Sequence, residues 1–219
     1  MSAAGTSAQR EYERRSQRRE QQVRSRHPLL GGLILALGEE PATTRVWAQG
    51  ARGERAVAAK LDGLDDVTVL HDRVRRHPDG RLSRANIDHI AITPSGVWVI
   101  DAKTHQGELE VRRSGGFLTA RQERLYIRGR DQTKLLDGLA GQVADVTAAL
   151  HAVDAAVPVR GALCFVGTEL PWFGESINGV PLVGRRGLAR LLKRNGDLGP
   201  DDRQLLAEFL ATRFPPATG

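Results

Sequence analysis

Cysteine is almost absent from this 219-residue sequence, which contains only Cys164. A single thiol excludes a disulfide framework, and no group of Cys and His residues has the spacing of a zinc site. Cys164 lies in the apolar run 161–166, so we predict a buried structural thiol in a strand. The sequence also lacks an internal repeat, a P-loop and the glycine-rich fingerprint of dinucleotide-binding proteins.

Long hydrophobic runs are missing as well. The apolar run 29–37 is too short to span a bilayer, and the residues before it are strongly polar. We therefore expect no cleavable signal, no transmembrane segment and a cytoplasmic location. We expect this run to pack on the core as a short helix, and transient contact with a membrane surface is the alternative.

Lysine is scarce too, since only four of the 32 basic residues are lysines, at positions 60, 103, 134 and 193. The net charge of +6 and the pI of about 10.2 favour a polyanionic partner, although a genome rich in arginine codons gives the same bias. Because arginine is the usual cation of this chain, Lys103 indicates a role for a compact ammonium.

Much of the positive charge lies in residues 8–26, which hold seven Arg and three Glu, a net +4. One interpretation is a solvated or partly disordered tail, and the other is a helical basic arm that contacts nucleic-acid phosphates or an acidic partner. We expect residues 1–40 to form this arm with the short apolar segment, and residues 41–219 to form one domain.

Polar residues interrupt a segment that otherwise predicts a buried β-hairpin. Apolar runs flank Pro94-Ser95-Gly96, yet Asp88, Asp101 and Lys103 lie in or beside them. Because a strand alternates faces, Asp101 and Lys103 share one face. Two acids beside one base on a rigid sheet suit a site that holds a divalent cation and polarises a phosphate.

The hairpin register decides whether Asp88 joins this site. A two-residue turn at Pro94-Ser95 places Asp88 directly opposite Asp101. A three-residue turn with a bulge at Gly96 sends Asp88 to the other face, and the sequence fits both turns.

A third acid lies upstream, on a predicted helix over residues 44–64. Its apolar stripe includes Trp47, Ala51, Ala58 and Leu61, and Glu54 falls on the same stripe. An acid on a packing face often marks function. The alternative is that Glu54 reaches past the packed face or pairs with an arginine such as Arg55.

These motifs together resemble those of a known family. The chain is similar to the nuclease-related domain family, within the PD-(D/E)xK nuclease superfamily, over roughly residues 50–150. The matching positions are Gly53-Glu54, Ile87-Asp88-His89, Asp101-Ala102-Lys103 and Gly107. Ile87 departs from the nominal proline of the superfamily motif. The resemblance implies an α/β fold with a restriction-endonuclease-like core, in which helices flank a mixed β-sheet.

The resemblance also implies roles for these residues. Asp88 and Asp101 would bind Mg²⁺ or Mn²⁺, with Glu54 as the helix acid and the Ala102 carbonyl as a further ligand. Lys103 would contact the attacked phosphate or the water. Independently of the resemblance, strict strand alternation points His89 away from Asp88, so we expect it to pack on the second face rather than to bind a metal.

Two further groups of residues extend the candidate site. Gln142 lies on a helix predicted over residues 131–150, where the superfamily often carries a polar residue, although a solvated amide is the alternative. The segment 71–84 contains the turn signal Pro78-Asp79-Gly80, which predicts a loop. The five arginines of this segment would contact phosphates, and the alternative is that they are simply solvated. They are Arg73, Arg75, Arg76, Arg81 and Arg84.

The other predicted elements supply a scaffold. We predict strands at 109–112, 117–120, 125–127, 159–166 and 180–183, and helices at 187–194 and 201–214. The sequence thus favours a metal-dependent nuclease that hydrolyses phosphodiester bonds, with DNA as the expected substrate. A non-catalytic nucleic-acid- or protein-binding module on the same fold is the main alternative. A structural or membrane-proximal partner protein is the third.

Overall fold

The computed structural model describes residues 5–26, 42–75, 83, 86–116, 122–171 and 174–217. Within them, the side chains of residue 6 and of residues 42–47 are outside the description. The described helices are α1 (Thr6–Arg26), α2 (Ala42–Asp62), α3 (Lys134–His151), α4 (Arg185–Leu192) and α5 (Pro200–Arg213). The described strands are β1 (Thr68–Arg73), β2 (Ile87–Thr93), β3 (Gly96–Ser114), β4 (Gln122–Ile127), β5 (Arg130–Asp131), β6 (Val159–Glu169), β7 (Glu175–Ile177) and β8 (Val180–Gly184).

The strands form a mixed sheet in the order β1-β2-β3-β6-β8-β7. Strand β6 is parallel to β3 and to β8, whereas β1, β2 and β7 pair antiparallel with their neighbours. The parallel pairing of β3 with β6 needs a crossover, and helix α3 lies in it. The predicted α/β fold with a mixed sheet flanked by helices is confirmed.

The hairpin of β2 and β3 has the two-residue turn. Thr93 pairs with Gly96 and His89 pairs with Ile100, so the two strands are in the register that places residue 88 opposite residue 101. Gly96 has φ +126°, which a glycine adopts without strain, and the Thr93 hydroxyl donates to its carbonyl oxygen at 2.8 Å. The alternative bulged register is thereby excluded.

Strand β3 is much longer than the sequence predicts. We predicted a separate strand at 109–112, but β3 runs without a break from Gly96 to Ser114. Its first part pairs with β2 and β6, and its last part pairs with β4. The prediction was wrong because a β-bulge between Thr104 and Gly107, where Gly107 has φ +95°, absorbs the polar residues that looked like a break.

Each face of the sheet carries its own core. Helices α3 and α5 cover one face, and their core includes Ile90, Val99, Leu139 and Leu163. Helices α2 and α4 cover the other face, and the core there includes Leu61, Ala91, Ile100 and Cys164. The alternation along β2 and β3 therefore sorts residues 90 and 99 to one face and residues 91 and 100 to the other. Cys164 is a free, buried thiol, as predicted.

Helix α1 packs against helix α2 through its first turns. Gly5 lies against the backbone of Ala51, Ala8 is buried, and Arg55 donates to the Gln9 amide oxygen at 3.4 Å. Further along, α1 is held by its own ion pairs, such as Glu11 with Arg15. The segment is thus helical, and its start is attached to the domain.

Most other predicted elements are confirmed within a few residues, namely the four helices now called α2 to α5 and the strands β4, β6 and β8. The loop prediction was wrong for its first residues, because residues 71–73 complete strand β1, which pairs with β2. The predictions for residues 29–37, 76–82 and 117–120, and for the Trp47 side chain, lie outside the described residues.

Candidate active site

The two hairpin acids and the lysine meet where β2 begins and β3 continues past it. The Ala102 N–H donates to Asp88 Oδ2 at 2.8 Å, and Lys103 Nζ forms a salt bridge with Asp101 Oδ1. The Asp101 carboxylate is close enough for its charge to add to the burial that raises the pKa of Asp88. The register thus brings three of the predicted site residues into one cluster.

The cluster is largely shielded from water but open at one point. The side chain of Asp101 is 6% exposed, whereas that of Lys103 is 27% exposed. Burial raises the pKa of Asp88 well above its usual range, and the charges of Asp101 and Glu54 raise it further. Burial alone would lower the pKa of Lys103, but the Asp101 and Asp88 charges raise it above its ordinary value. The single ammonium does not neutralise the group of acids.

Glu54 reaches the same cluster from helix α2. Burial raises the pKa of Glu54 to about 7, and among its neighbours the charge of Asp72 raises it most, followed by that of Asp101, while Lys103 lowers it. The helix comes this close because residue 53 is a glycine. A Cβ atom at Gly53 would lie 1.8 Å from the Thr104 hydroxyl oxygen on β3. Gly53 therefore allows the close approach that brings Glu54 to the site.

Asp72 is a functional candidate that the sequence analysis missed. It is 3% exposed and has φ +49° in strand β1. Its carboxylate accepts hydrogen bonds from the Ser7 N–H at 3.0 Å, from the Ser7 hydroxyl at 2.8 Å and from the Asn86 amide at 2.8 Å. Because Ser7 is 65 residues away along the chain, no local pattern predicts this contact. Helix α1 thus helps to position an acid beside Glu54.

The donor set suits a hard divalent cation. Asp88 and Asp101 provide carboxylate oxygens, and their mutual repulsion raises the pKa of Asp88, which a cation would relieve. Among the residues in the described ranges, no group of three or more His, Cys, Asp or Glu side chains is arranged to hold a metal ion. The ligand roles of Glu54 and the Ala102 carbonyl therefore stay predictions.

Gln142 lies on helix α3, which packs against β3 and β6. The residue is 7% exposed, and its Oε1 atom is buried without a hydrogen-bond partner. None of the hydrogen bonds between described residues joins Gln142 to Asp88, Asp101 or Lys103. Its catalytic role stays a prediction, although its amide is buried rather than solvated.

The structure describes two of the five arginines predicted to grip phosphates. Arg73 is 6% exposed and donates to the Phe214 carbonyl at 3.5 Å. Arg75 donates to Asp145 Oδ2 on helix α3 at 2.6 Å. Both guanidinium groups thus have partners within the protein. Arg76, Arg81 and Arg84 lie outside the described residues.

The opposite face of β1 and β2 carries a buried histidine pair. His89 is fully buried, as predicted, and its Nδ1 atom lies 2.8 Å from His71 Nδ1. His71 Nε2 in turn lies 2.8 Å from Asp62 Oδ1 at the end of α2. Burial lowers the pKa of His89 to about 3, and the His71 charge lowers it further. His89 therefore stays neutral, and strand alternation places it on the face opposite Asp88 and Asp101.

None of the helices in the described ranges is both long enough and apolar enough to cross a bilayer. A family model described as the nuclease-related domain matches residues 49–166, more than half of the 219 residues. The matched range contains the motifs of Glu54, Asp88, Asp101 and Lys103. The match to this family suggests a nuclease-related function. A search of curated proteins and a search of solved structures found no match.

Proposed function

Since the chain belongs to the nuclease-related domain family, we propose that it is a Mg²⁺- or Mn²⁺-dependent nuclease that hydrolyses phosphodiester bonds in DNA. The observation that carries this proposal is the register of the hairpin, which opposes Asp88 and Asp101 and sets Lys103 beside them. Two acids and one partly exposed ammonium on rigid strands are the groups that this chemistry needs.

Asp88 and Asp101 are the proposed ligands of the cation, with the Ala102 carbonyl and Glu54 as candidates for further ligands. A bound Mg²⁺ or Mn²⁺ would supply Lewis-acid polarisation of a phosphate and a lowered pKa of bound water. Glu54 and Asp72 contribute negative charge around the two ligands, which favours the uptake of a cation. A net positive chain thus keeps a locally acidic site.

Lys103 is the proposed contact to the attacked phosphate. In hydrolysis, a water oxygen forms a bond to phosphorus while the bond to the leaving oxygen breaks, and negative charge grows on the remaining phosphate oxygens. The Lys103 ammonium stays charged because Asp101 and Asp88 raise its pKa. Held by Asp101, it presents a fixed positive charge toward those oxygens or orients the water.

The test is a cleavage assay on plasmid, linear, single-stranded and RNA substrates with Mg²⁺, Mn²⁺ or EDTA. We expect metal-dependent cleavage of DNA by the intact chain and its loss in Asp101→Ala and Lys103→Ala. The exposed residues Asp65 and Lys60 provide the matched controls Asp65→Ala and Lys60→Ala, which should retain activity. Circular dichroism establishes that every variant is folded.

Full activity in either purified site variant would falsify the proposed site. A non-catalytic binding module predicts a different result, since it would bind nucleic acid with no metal-dependent turnover in any variant. Titration calorimetry with Mg²⁺ or Mn²⁺ separates the two outcomes further, because a working site should show binding that Asp101→Ala removes.

A further inference from the structure

A polar groove lies directly beside the candidate active site. It has a volume of about 590 Å³, and it lies between Gln49 on helix α2, the bulge of β3 and the segment of β4 and β5 around their turn. Thr104 and His105, which line it, follow Lys103 in the chain, and burial lowers the pKa of His105, with a further contribution from the Lys103 charge. The groove and the carboxylates are therefore neighbours on one strand.

The chemistry of the lining suits an anionic polymer. The lining contains three amides, a hydroxyl, an imidazole and two guanidinium groups, and it contains no carboxylate. These residues are Gln49, Thr104, His105, Gln106, Ile127, Arg128, Arg130 and Gln132. Guanidinium and amide groups are the side chains that proteins use most for phosphate and sugar contacts.

Both arginines of the groove are exposed and available. The neighbouring acid Asp131 is engaged by Arg124 at 3.4 Å and by the Thr133 N–H at 2.8 Å. No ion pair between described residues includes Arg128 or Arg130. In contrast, Arg73 and Arg75, the described arginines of the predicted phosphate-gripping loop, have partners inside the protein.

Contacts of the backbone with β3 fix the position of Arg128. Its N–H donates to the Glu108 carbonyl at 2.9 Å, and its Cβ would lie 3.3 Å from a Cβ atom at Gly107. Gly107, with φ +95° beside the bulge, thus lets the β4–β5 turn close against β3. The turn that carries both arginines is held at a fixed place next to the site.

The groove offers little surface for base stacking, since His105 supplies the one aromatic ring among its described lining residues. Proteins that bind single strands combine a basic groove with aromatic side chains on which the bases stack. Phe, Tyr and Trp are all absent from the described lining of this groove. A lining of this kind contacts a backbone and leaves the bases paired, which favours a duplex and binding that does not depend on sequence.

We infer that this groove holds the sugar–phosphate backbone of duplex DNA next to the bond that is cleaved, with Arg128 and Arg130 contacting phosphates. The inference rests on the proposed nuclease function for the identity of the ligand. It assigns to the β4–β5 turn the phosphate contacts that the sequence suggested for residues 73–84.

The test compares two double variants of the full chain that lose the same charge. Arg128→Asn with Arg130→Gln removes the groove arginines, and Asn tolerates the φ of +52° at position 128. Arg190→Gln with Arg194→Gln is the control, since both residues are exposed and lie near the start of β6, away from the groove. Affinity for a labelled duplex and for its single strand is measured in EDTA at several salt concentrations.

We expect the groove variant to bind the duplex more weakly, with a log–log salt slope that is less steep by about 1.8, while the control keeps the slope of the intact chain. We also expect the single strand to bind more weakly than the duplex. If the double variant does not fold, Arg130→Gln alone should change the slope by about 0.9.

An unchanged slope in the groove variant, or an equal change in the control, would overturn the inference. Single-strand binding as tight as duplex binding would overturn the assignment of a duplex. Because binding in EDTA requires no cleavage, the groove is tested independently of turnover. A chain that passes this test and never cleaves DNA with Mg²⁺ would contradict the nuclease proposal and not the groove.

Discussion

Two clusters of ionisable groups lie on opposite sides of the same pair of strands. Asp88 and His89 are consecutive residues of β2, yet one joins the acid cluster and the other joins the histidine pair. His89 shares a short contact with His71, which in turn reaches Asp62. Asp88 faces Asp101 and Glu54, which carry the same charge that it would carry.

The difference is one of charge balance. Burial lowers the pKa of His89, and its neutral imidazole both donates and accepts, so His89 itself needs no counter-charge. The acids have one ammonium among them, and burial raises the pKa of both Asp88 and Glu54. Among the described residues, the histidine pair leaves only the buried His89 Nε2 atom without a partner, whereas the acid cluster is short of positive charge. An imbalance of this kind is what marks a functional site.

The largest expected effect comes from Asp88→Asn. Removing one of the two opposed acids should lower metal-dependent cleavage by roughly 10²–10³-fold or more, a loss of the order seen for electrostatic groups at active sites. In EDTA the thermal unfolding midpoint should stay at or above that of the intact chain, because the repulsion with Asp101 and Glu54 is relieved. A clear fall of the midpoint would show that Asp88 serves the fold rather than the site.

His89→Ala should show the reverse pattern. The variant leaves a cavity in the core and the His71 Nδ1 without its partner, which should cost about 2–4 kcal/mol of unfolding free energy. Mg²⁺ should still raise the urea concentration at which the variant unfolds, because the acid cluster is intact. The control Asp62→Ala alters the 63% exposed end of the same chain of contacts and should cost less than about 1 kcal/mol. Urea titrations with and without Mg²⁺ give all of these values.

The pH dependence of stability should separate the two clusters. The pKa of His89 falls to about 3 on folding, so its contribution to stability is present above about pH 6.5 and is lost as the pH falls toward 3. The pKa of Glu54 rises to about 7, so its contribution is present below about pH 4.5 and is lost as the pH rises through 7. Between about pH 4.5 and pH 6.5, a rise in pH increases the contribution of His89 to stability and decreases that of Glu54.

Glu54→Gln removes the contribution of Glu54 to the pH dependence of stability and leaves that of His89. In EDTA the variant should be more stable than the intact chain at pH 8, by up to about 3 kcal/mol. It should also lose stability more steeply between pH 6.5 and 4.5. Urea titrations across this range provide the measurement, and equal stability of the two proteins at pH 8 would contradict the buried position of Glu54.

The smallest expected effect concerns the approach of helix α2 to the acids. Gly53→Ala places a methyl group against Thr104 and should cost about 1–3 kcal/mol, with a loss of cleavage as Glu54 is displaced. Gly50→Ala is the matched control in the same helix, since its added Cβ would meet no described atom within 4 Å beyond the neighbouring residues and backbone of its own helix. The control should be neutral or slightly stabilising because alanine favours a helix. Equal costs in the two variants would show that Gly53 has no packing role.

The sequence limits the acid cluster to two hairpin registers because its geometry is mostly local, and the structure has the register of the two-residue turn. The turn at Pro94-Ser95 lies between the two acids, and a period of two then places Lys103 beside Asp101. The apolar stripe of helix α2 likewise points Glu54 toward the sheet. Local periodicity is sufficient wherever the partners lie on one hairpin or one helix.

Contacts between distant segments are not encoded in any local pattern. The link between Ser7 and Asp72 depends on how two helices and a strand pack, and neither residue has a distinctive neighbourhood in the sequence. The length of β3 was missed for a related reason, since its continuation depends on pairing with β4 and β6 across a bulge. Strand β1 was not predicted because the residues that follow it have the composition of a loop, and its pairing with β2 outweighs that composition.

The continuity of β3 has a consequence for where a substrate would be cut. Asp101 and Lys103 lie before the bulge and Gly107 lies after it, on one uninterrupted backbone. A strand rises about 3.3 Å per residue, so Asp101 and the point at Gly107 where the β4–β5 turn packs against β3 are separated by roughly 20 Å or less. The distance along the DNA between the phosphate that the groove contacts and the bond that is cleaved would then be constant, whatever the sequence of the DNA.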